Sequence, residues 1–98
     1  MPRKRRFSDE PFGTTIEKLM DETGVTYRAL AAKTSLSAGY LNHLVHGNRP
    51  VPSDDVIAGL SKALGVESEH FREVRIRRIA ERLEKMPDLI DRLYKRLG

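Results

Sequence analysis

Apolar side chains recur along this chain at steps of three and four, the period of a helix with one buried face, and no stretch sustains the alternation of a half-buried strand. Phe12, Ile16, Leu19 and Met20 line the first such face, with Ser8 before it as an N-cap, Asp9, Glu10 and Pro11 in the first turn, and Gly24 as the stop. Thr26 caps a short second helix over 27–34 that turns Leu30 and Ala31 inward. After Ser35 and Leu36, Ser37 caps a third, running to about residue 46, with Leu41, Leu44 and Val45 inside and Gly47 at its end. Turn residues from Gly47 to Pro52 make a loop. Ser53, Asp54 and Asp55 then open a fourth helix with acids at its positive end, and Val56, Ile57, Leu60, Ala63 and Leu64 form its stripe up to Gly65. The class is all-α.

Beyond residue 68 the pattern changes. Ile76, Ile79, Leu83, Met86, Ile90, Leu93 and Leu97 form a heptad seam, interrupted by Pro87, which predicts two helices over 69–85 and 88–97. Phe71 and Val74 directly follow the four-helix core and are read as covering it. That core has little surface left for the rest of the seam, which predicts a homodimer paired through those seven residues. An unrelated protein docking on Leu89, Ile90, Leu93 and Leu97 is the competing occupant. The organisation expected is a basic disordered arm over 1–7, a compact domain over 8–67 and a helical pairing segment over 68–98. Tyr94 reads as a packing residue at a helix contact and His70 as a surface residue. Arg72, Arg75, Arg77, Arg78 and Arg82 alternate with Glu73, Glu81 and Glu84, a pattern that predicts a solvated, salt-bridged face.

Composition narrows the function classes. With 98 residues there is room for one domain and little for a buried catalytic cleft, and no cysteine is present to build a disulfide or a thiolate metal site. Apolar runs are too short to span a bilayer and no apolar signal region opens the chain, so a cytoplasmic protein without a membrane partner is expected. Neither a hydrolase elbow nor a phosphate-cradling glycine loop occurs; Gly13, Gly24, Gly39, Gly47, Gly59 and Gly65 are scattered as stops and helix interiors. An enzyme is the least supported class, and no cofactor or small-molecule ligand is implied. His43 and His46 stand three apart on a helix, but with no carboxylate beside them they are read as facing solvent or DNA, not metal. Net charge is +4 and evenly spread, except for Arg3, Lys4, Arg5 and Arg6, a run suited to a phosphate backbone.

The span from Tyr27 to His46 carries the function. Two short helices that cross at a tight turn need a small residue at the crossing, an apolar plug in the turn and apolar anchors beneath the second helix; Ala31, Leu36, Leu41 and Leu44 supply them. Together with Leu30-Ala31-Ala32-Lys33-Thr34, Gly39-Tyr40-Leu41, Gly47-Asn48-Arg49-Pro50 and Ala63-Leu64-Gly65-Val66, this span resembles the Cro/C1-type, or Xre, helix-turn-helix regulators. The likeness runs from Phe12 to about Val66. It implies a lambda-repressor-like fold of four to five helices that binds double-stranded DNA as a dimeric repressor, the C-terminal helices being an extension for pairing. It departs at Ser35, where the family most often has a left-handed glycine.

On that reading the third helix enters the major groove with Ala38, Gly39, Tyr40, Asn42 and His43 toward the bases. Ala38 and Gly39 let the helix sit close; by elimination Asn42 pairs with adenine N6 and N7, and His43 donates to guanine. The resemblance implies a phosphate or thymine contact for Tyr40; ordinary packing is the alternative for both Tyr27 and Tyr40. Thr26, Tyr27, Arg28, Ser37, His46, Asn48 and Arg49, with Arg3 to Arg6, are expected on phosphates. Two further readings stay open: a protein-interaction module such as an antitoxin or adaptor, and a nucleoid-type binder with little sequence preference.

Overall fold

The computed structural model describes residues 7–98, so Arg3 to Arg6 lie outside the described residues. Six helices follow in order: α1 (Phe12–Thr23), α2 (Tyr27–Thr34), α3 (Ala38–Val45), α4 (Asp54–Leu64), a 3₁₀ turn at Ser68–His70, α5 (Arg72–Glu84) and α6 (Pro87–Leu97). There is no strand among the described residues. Leu30, Leu41, Ile57 and Leu60, one or two from each of α2, α3 and α4, are completely buried at the centre. Phe12, Ile16, Leu44 and Leu64 close round them, and each such burial is worth roughly 1.5–3 kcal/mol. Phe71, just before α5, and Val74 on it complete this core as expected, the Phe71 ring lying 4.8 Å from that of Phe12.

Several ends differ from the sequence expectation. Pro11 occupies the N-cap of α1 and offers no side-chain cap. Ser8 instead shares a 2.6 Å hydrogen bond with the Thr15 hydroxyl and accepts the Glu10 N–H. The Phe12 N–H, orphaned at the start of α1, donates at 3.1 Å to a Glu73 carboxylate oxygen brought in by α5. A carboxylate at that end is favoured by the helix dipole, so a residue 61 positions away does the work of the missing local cap. The predicted helix over 69–85 is divided, because Phe71 takes an extended conformation between the 3₁₀ turn and α5 and thereby reaches the core. Pro87 is the first residue of α6, a position where its missing N–H costs nothing.

The N-terminal half of α5 also departs from the solvated face that its charges predict. Arg75 donates to the carbonyls of Ser8, Glu69 and His70, and Arg77 to those of Val51 and Pro52. Phe7, the last residue of the expected arm, is half-buried with the Arg75 guanidinium 4.8 Å from its ring centroid. His70 is likewise half-buried, edge-on to Phe71.

Past Arg78 the chain leaves the core. Val74 and Ile76 are two residues apart, about 200° round the helix, so the face of α5 that packs inward stands opposite the seam. Ile76 and Ile79 are accordingly 56% and 59% exposed, and Leu97 on α6 reaches 88%. Tyr94 makes no helix contact of the kind expected; it is 76% exposed, since α6 buries no residue at all. The radius of gyration, 15.8 Å, exceeds the roughly 13 Å of a compact chain of this length, in keeping with a projecting α6.

Two backbone positions generate predictions. A Cβ on Gly13 would stand 2.5 Å from the carbonyl oxygens of Leu44 and Val45, where α1 crosses the end of α3. Gly13→Ala should therefore destabilise by about 1–3 kcal/mol, seen in a urea or thermal melt. Ser35 has φ 61°, the left-handed conformation that the turn demands. Ser35→Gly removes a strain of about 1–2 kcal/mol and should raise the Tm; a lower Tm would contradict this.

Candidate nucleic-acid interface

Helices of eight residues have no stability of their own, so α2 and α3 are placed by what lies beneath them. Leu30 of α2 and Leu41, Leu44 and Val45 of α3 are buried, and Leu36 in the turn packs against the same core. The left-handed Ser35 reverses the chain, while the Thr34 hydroxyl donates to the Leu30 carbonyl at 2.7 Å and closes α2. The Ser37 side chain accepts the Tyr40 N–H at 3.0 Å and the Thr26 side chain accepts the Ala29 N–H at 3.1 Å, each capping its helix. Both hydroxyls keep their own hydrogen, which remains available to a phosphate oxygen.

This framework leaves Ala38, Gly39, Asn42 and His43 exposed together on α3. Asn42 and His43 follow Gly39 at steps of three and four and share its face. Tyr40 is different: it is half-buried and packs against the core, which supports the packing alternative for its ring. Tyr27 also packs there, at the start of α2. Burial, reinforced by Glu17 and Asp21, pushes the Tyr27 hydroxyl above its ordinary range, so at neutral pH it is a protonated donor.

His46 falls beside Thr26 and Tyr27, on the rim of an open depression that also includes Glu17 and Asp21. Its Nδ1 lies 2.8 Å from the Asn42 carbonyl. A carbonyl only accepts, so Nδ1 carries a proton and Nε2 donates to a phosphate only when the ring is charged. Glu17 and Asp21 were not singled out in the sequence, where their spacing of four on α1 was the available signal; they make this rim acidic. Asn48 and Arg49 are exposed in the loop after α3, and Arg28 is exposed on α2. Among the described residues neither arginine forms an ion pair, whereas Arg72, Arg75, Arg77 and Arg78 all do. No group of His, Cys, Asp or Glu suited to a metal ion occurs among the described residues. Nor is any helix there long and apolar enough to cross a membrane.

Two short capped helices crossing at a left-handed turn, on a base of leucines and with the second helix's polar face open, define a helix-turn-helix protein. The chain belongs to the helix-turn-helix domain family, whose model matches residues 11–74. Its structure is similar to that of the clp gene regulator ClgR from Corynebacterium glutamicum, with a TM-score of 0.56 and 28% sequence identity over 76% of this chain and 83% of that one. No curated protein sequence matches the chain.

Gly39 offers a direct test of this surface. No atom lies within 4 Å of where its Cβ would be, and its φ is not left-handed, so nothing in the fold requires glycine there. Gly39→Ala should stabilise the fold by up to about 1 kcal/mol through helix propensity; if this face of α3 lies against DNA, the added methyl should at the same time weaken duplex binding. Melting curves and a DNA titration on the same sample measure both effects.

Proposed function

We propose that this protein is a sequence-specific, double-stranded-DNA-binding transcriptional regulator of the Cro/C1 kind, acting as a dimeric repressor on a near-palindromic operator. The observation that carries the reading is the exposed face of Gly39, Asn42 and His43 on α3, held from below by Leu41 and Leu44. Asn42 reads adenine and His43 guanine through the major groove, where each base pair has its own pattern of donors and acceptors. Arg28 and Arg49, which form no ion pair among the described residues, meet the phosphate rims, together with the N-terminus of α2 and the hydroxyls of Thr26 and Ser37. Similarity to a regulator of clp genes supports a role in transcription.

A second copy is the reading for the seam of α5 and α6. Its own domain lies on the opposite side of α5, so Ile76, Ile79, Met86, Ile90, Leu93 and Leu97 stay exposed and only Leu83 is half-buried. Among the described residues no charged side chain from Glu81 onward forms an ion pair. Four acids and five bases surround the seam there, a nearly balanced set that suits self-association better than a nucleic acid or an anionic membrane. Two-fold pairing through this seam sets the α3 helices into successive major grooves, with half-site centres about 34 Å apart or a multiple of that.

Asn42→Ala and His43→Ala should each cost roughly 1–3 kcal/mol on the preferred duplex and relax its sequence. Arg28→Ala and Arg49→Ala should instead weaken binding to all duplexes alike, and affinity should fall steeply as salt rises. Fluorescence titrations on selected and random duplexes separate these effects; equal loss on both for the first pair would contradict base reading. Sedimentation of the purified chain should give a dimer at micromolar concentration, and Ile79→Glu should give a folded monomer. A wild-type monomer would point to a foreign partner such as a toxin or a larger complex.

A further inference from the structure

The loop that carries Asn48 and Arg49 is anchored by packing at its far end, where Val51 lies against the core and Pro52 is buried, but it has few backbone hydrogen bonds of its own. The Asn48 N–H reaches the His43 carbonyl at 2.9 Å, and the next such bond along the chain, from the Ile57 N–H to the Ser53 carbonyl, already belongs to the start of α4. Residues 49–52 make no backbone–backbone hydrogen bond among the described residues. Two of them, Pro50 and Pro52, have no N–H to offer.

Arg77 fills that gap from the second turn of α5. Its Nη1 donates to the Pro52 carbonyl at 2.7 Å and to Asp54 Oδ1 at 3.2 Å, and its Nη2 donates to the Val51 carbonyl at 3.1 Å. A planar fork that takes two successive carbonyls fixes both position and direction, which a flexible ammonium does not. Asp54 is largely exposed and its ion pair contributes little; the charge-assisted bonds to the carbonyls make the grip.

We propose that Arg77 is a positioning residue for the DNA-reading surface. With both terminal nitrogens engaged it touches no DNA itself; it holds Val51 and Pro52 so that Asn48 and Arg49 meet the phosphates at the edge of the groove that α3 enters. It directly follows Ile76, so the brace also joins this loop to the helix that carries the exposed seam. The proposal rests on the reading of α3 as the DNA-facing helix.

A double-mutant cycle on duplex affinity tests it, with the full chain, a short fluorescent DNA duplex as the probe, and every variant assayed well below its melting temperature. Arg49→Ala alone should weaken binding by about fivefold, and Arg77→Lys, which keeps the charge and loses the fork, should weaken it comparably. The double variant should bind no worse than Arg77→Lys alone, because an unbraced loop no longer presents Arg49. Arg77→Gln serves as a second variant should the lysine chain fold poorly. Penalties that multiply, or wild-type affinity in Arg77→Lys, would overturn the proposal while leaving the DNA reading intact. A role confined to stability would lower the Tm and leave the Arg49 penalty unchanged, which would also overturn it. A wild-type chain that ignores duplex DNA altogether would remove the DNA reading and the proposal with it.

Discussion

Two eight-residue helices present the proposed reading surface, and neither has enough internal hydrogen bonds to persist alone in water. Their geometry is therefore a consequence of burial: Leu30, Leu41, Ile57 and Leu60 meet with no exposure, and α2 and α3 sit where those side chains can be packed. The turn between them has no freedom to relax, which is why a serine is kept at φ 61°. The polar face of α3 is then whatever the leucine face leaves outside. Recognition by Asn42 and His43, as proposed above, depends on that packing as much as on the two side chains.

The same constraint extends to α5. Its start belongs to the core through Val74 and the preceding Phe71, and its polar side chains repair weak points elsewhere: Glu73 caps α1, Arg75 fastens the chain at Ser8, and Arg77 takes the carbonyls of Val51 and Pro52. Having spent one face on its own domain, α5 turns the opposite face to solvent, and α6 continues it. A helix with two apolar faces half a turn apart cannot satisfy both within one small domain. That geometry, not the count of leucines, argues for a second chain.

The helices and most of the core were legible in the sequence because local signals agreed: Thr26 and Ser37 cap where they should, and Leu30, Leu41, Leu44 and Ile57 fall on the buried period. Misreadings arose where a distant residue overrode a local one. Ser8 has the chemistry of an N-cap, yet Glu73 takes that part from α5. Arg75 and Arg77 alternate with acids as surface residues do, and only the folded chain shows which carbonyls lie within their reach. Gly13 looked like an ordinary helix glycine, because the carbonyls of Leu44 and Val45 that exclude a side chain lie 31 and 32 residues further on. Within the candidate site, exposure of Ala38, Gly39, Asn42 and His43 follows the helical period, while the acids beside Tyr27 come from another helix and left only a weak trace.

The most direct test is to map the surface that DNA touches, by following backbone amide shifts of the labelled protein as a duplex is added in dilute salt. The account predicts that the largest changes fall on residues 37–46, with further changes at 26–28 and 48–49, and that α6 moves little. Changes concentrated on α5 and α6, or none anywhere, would contradict it.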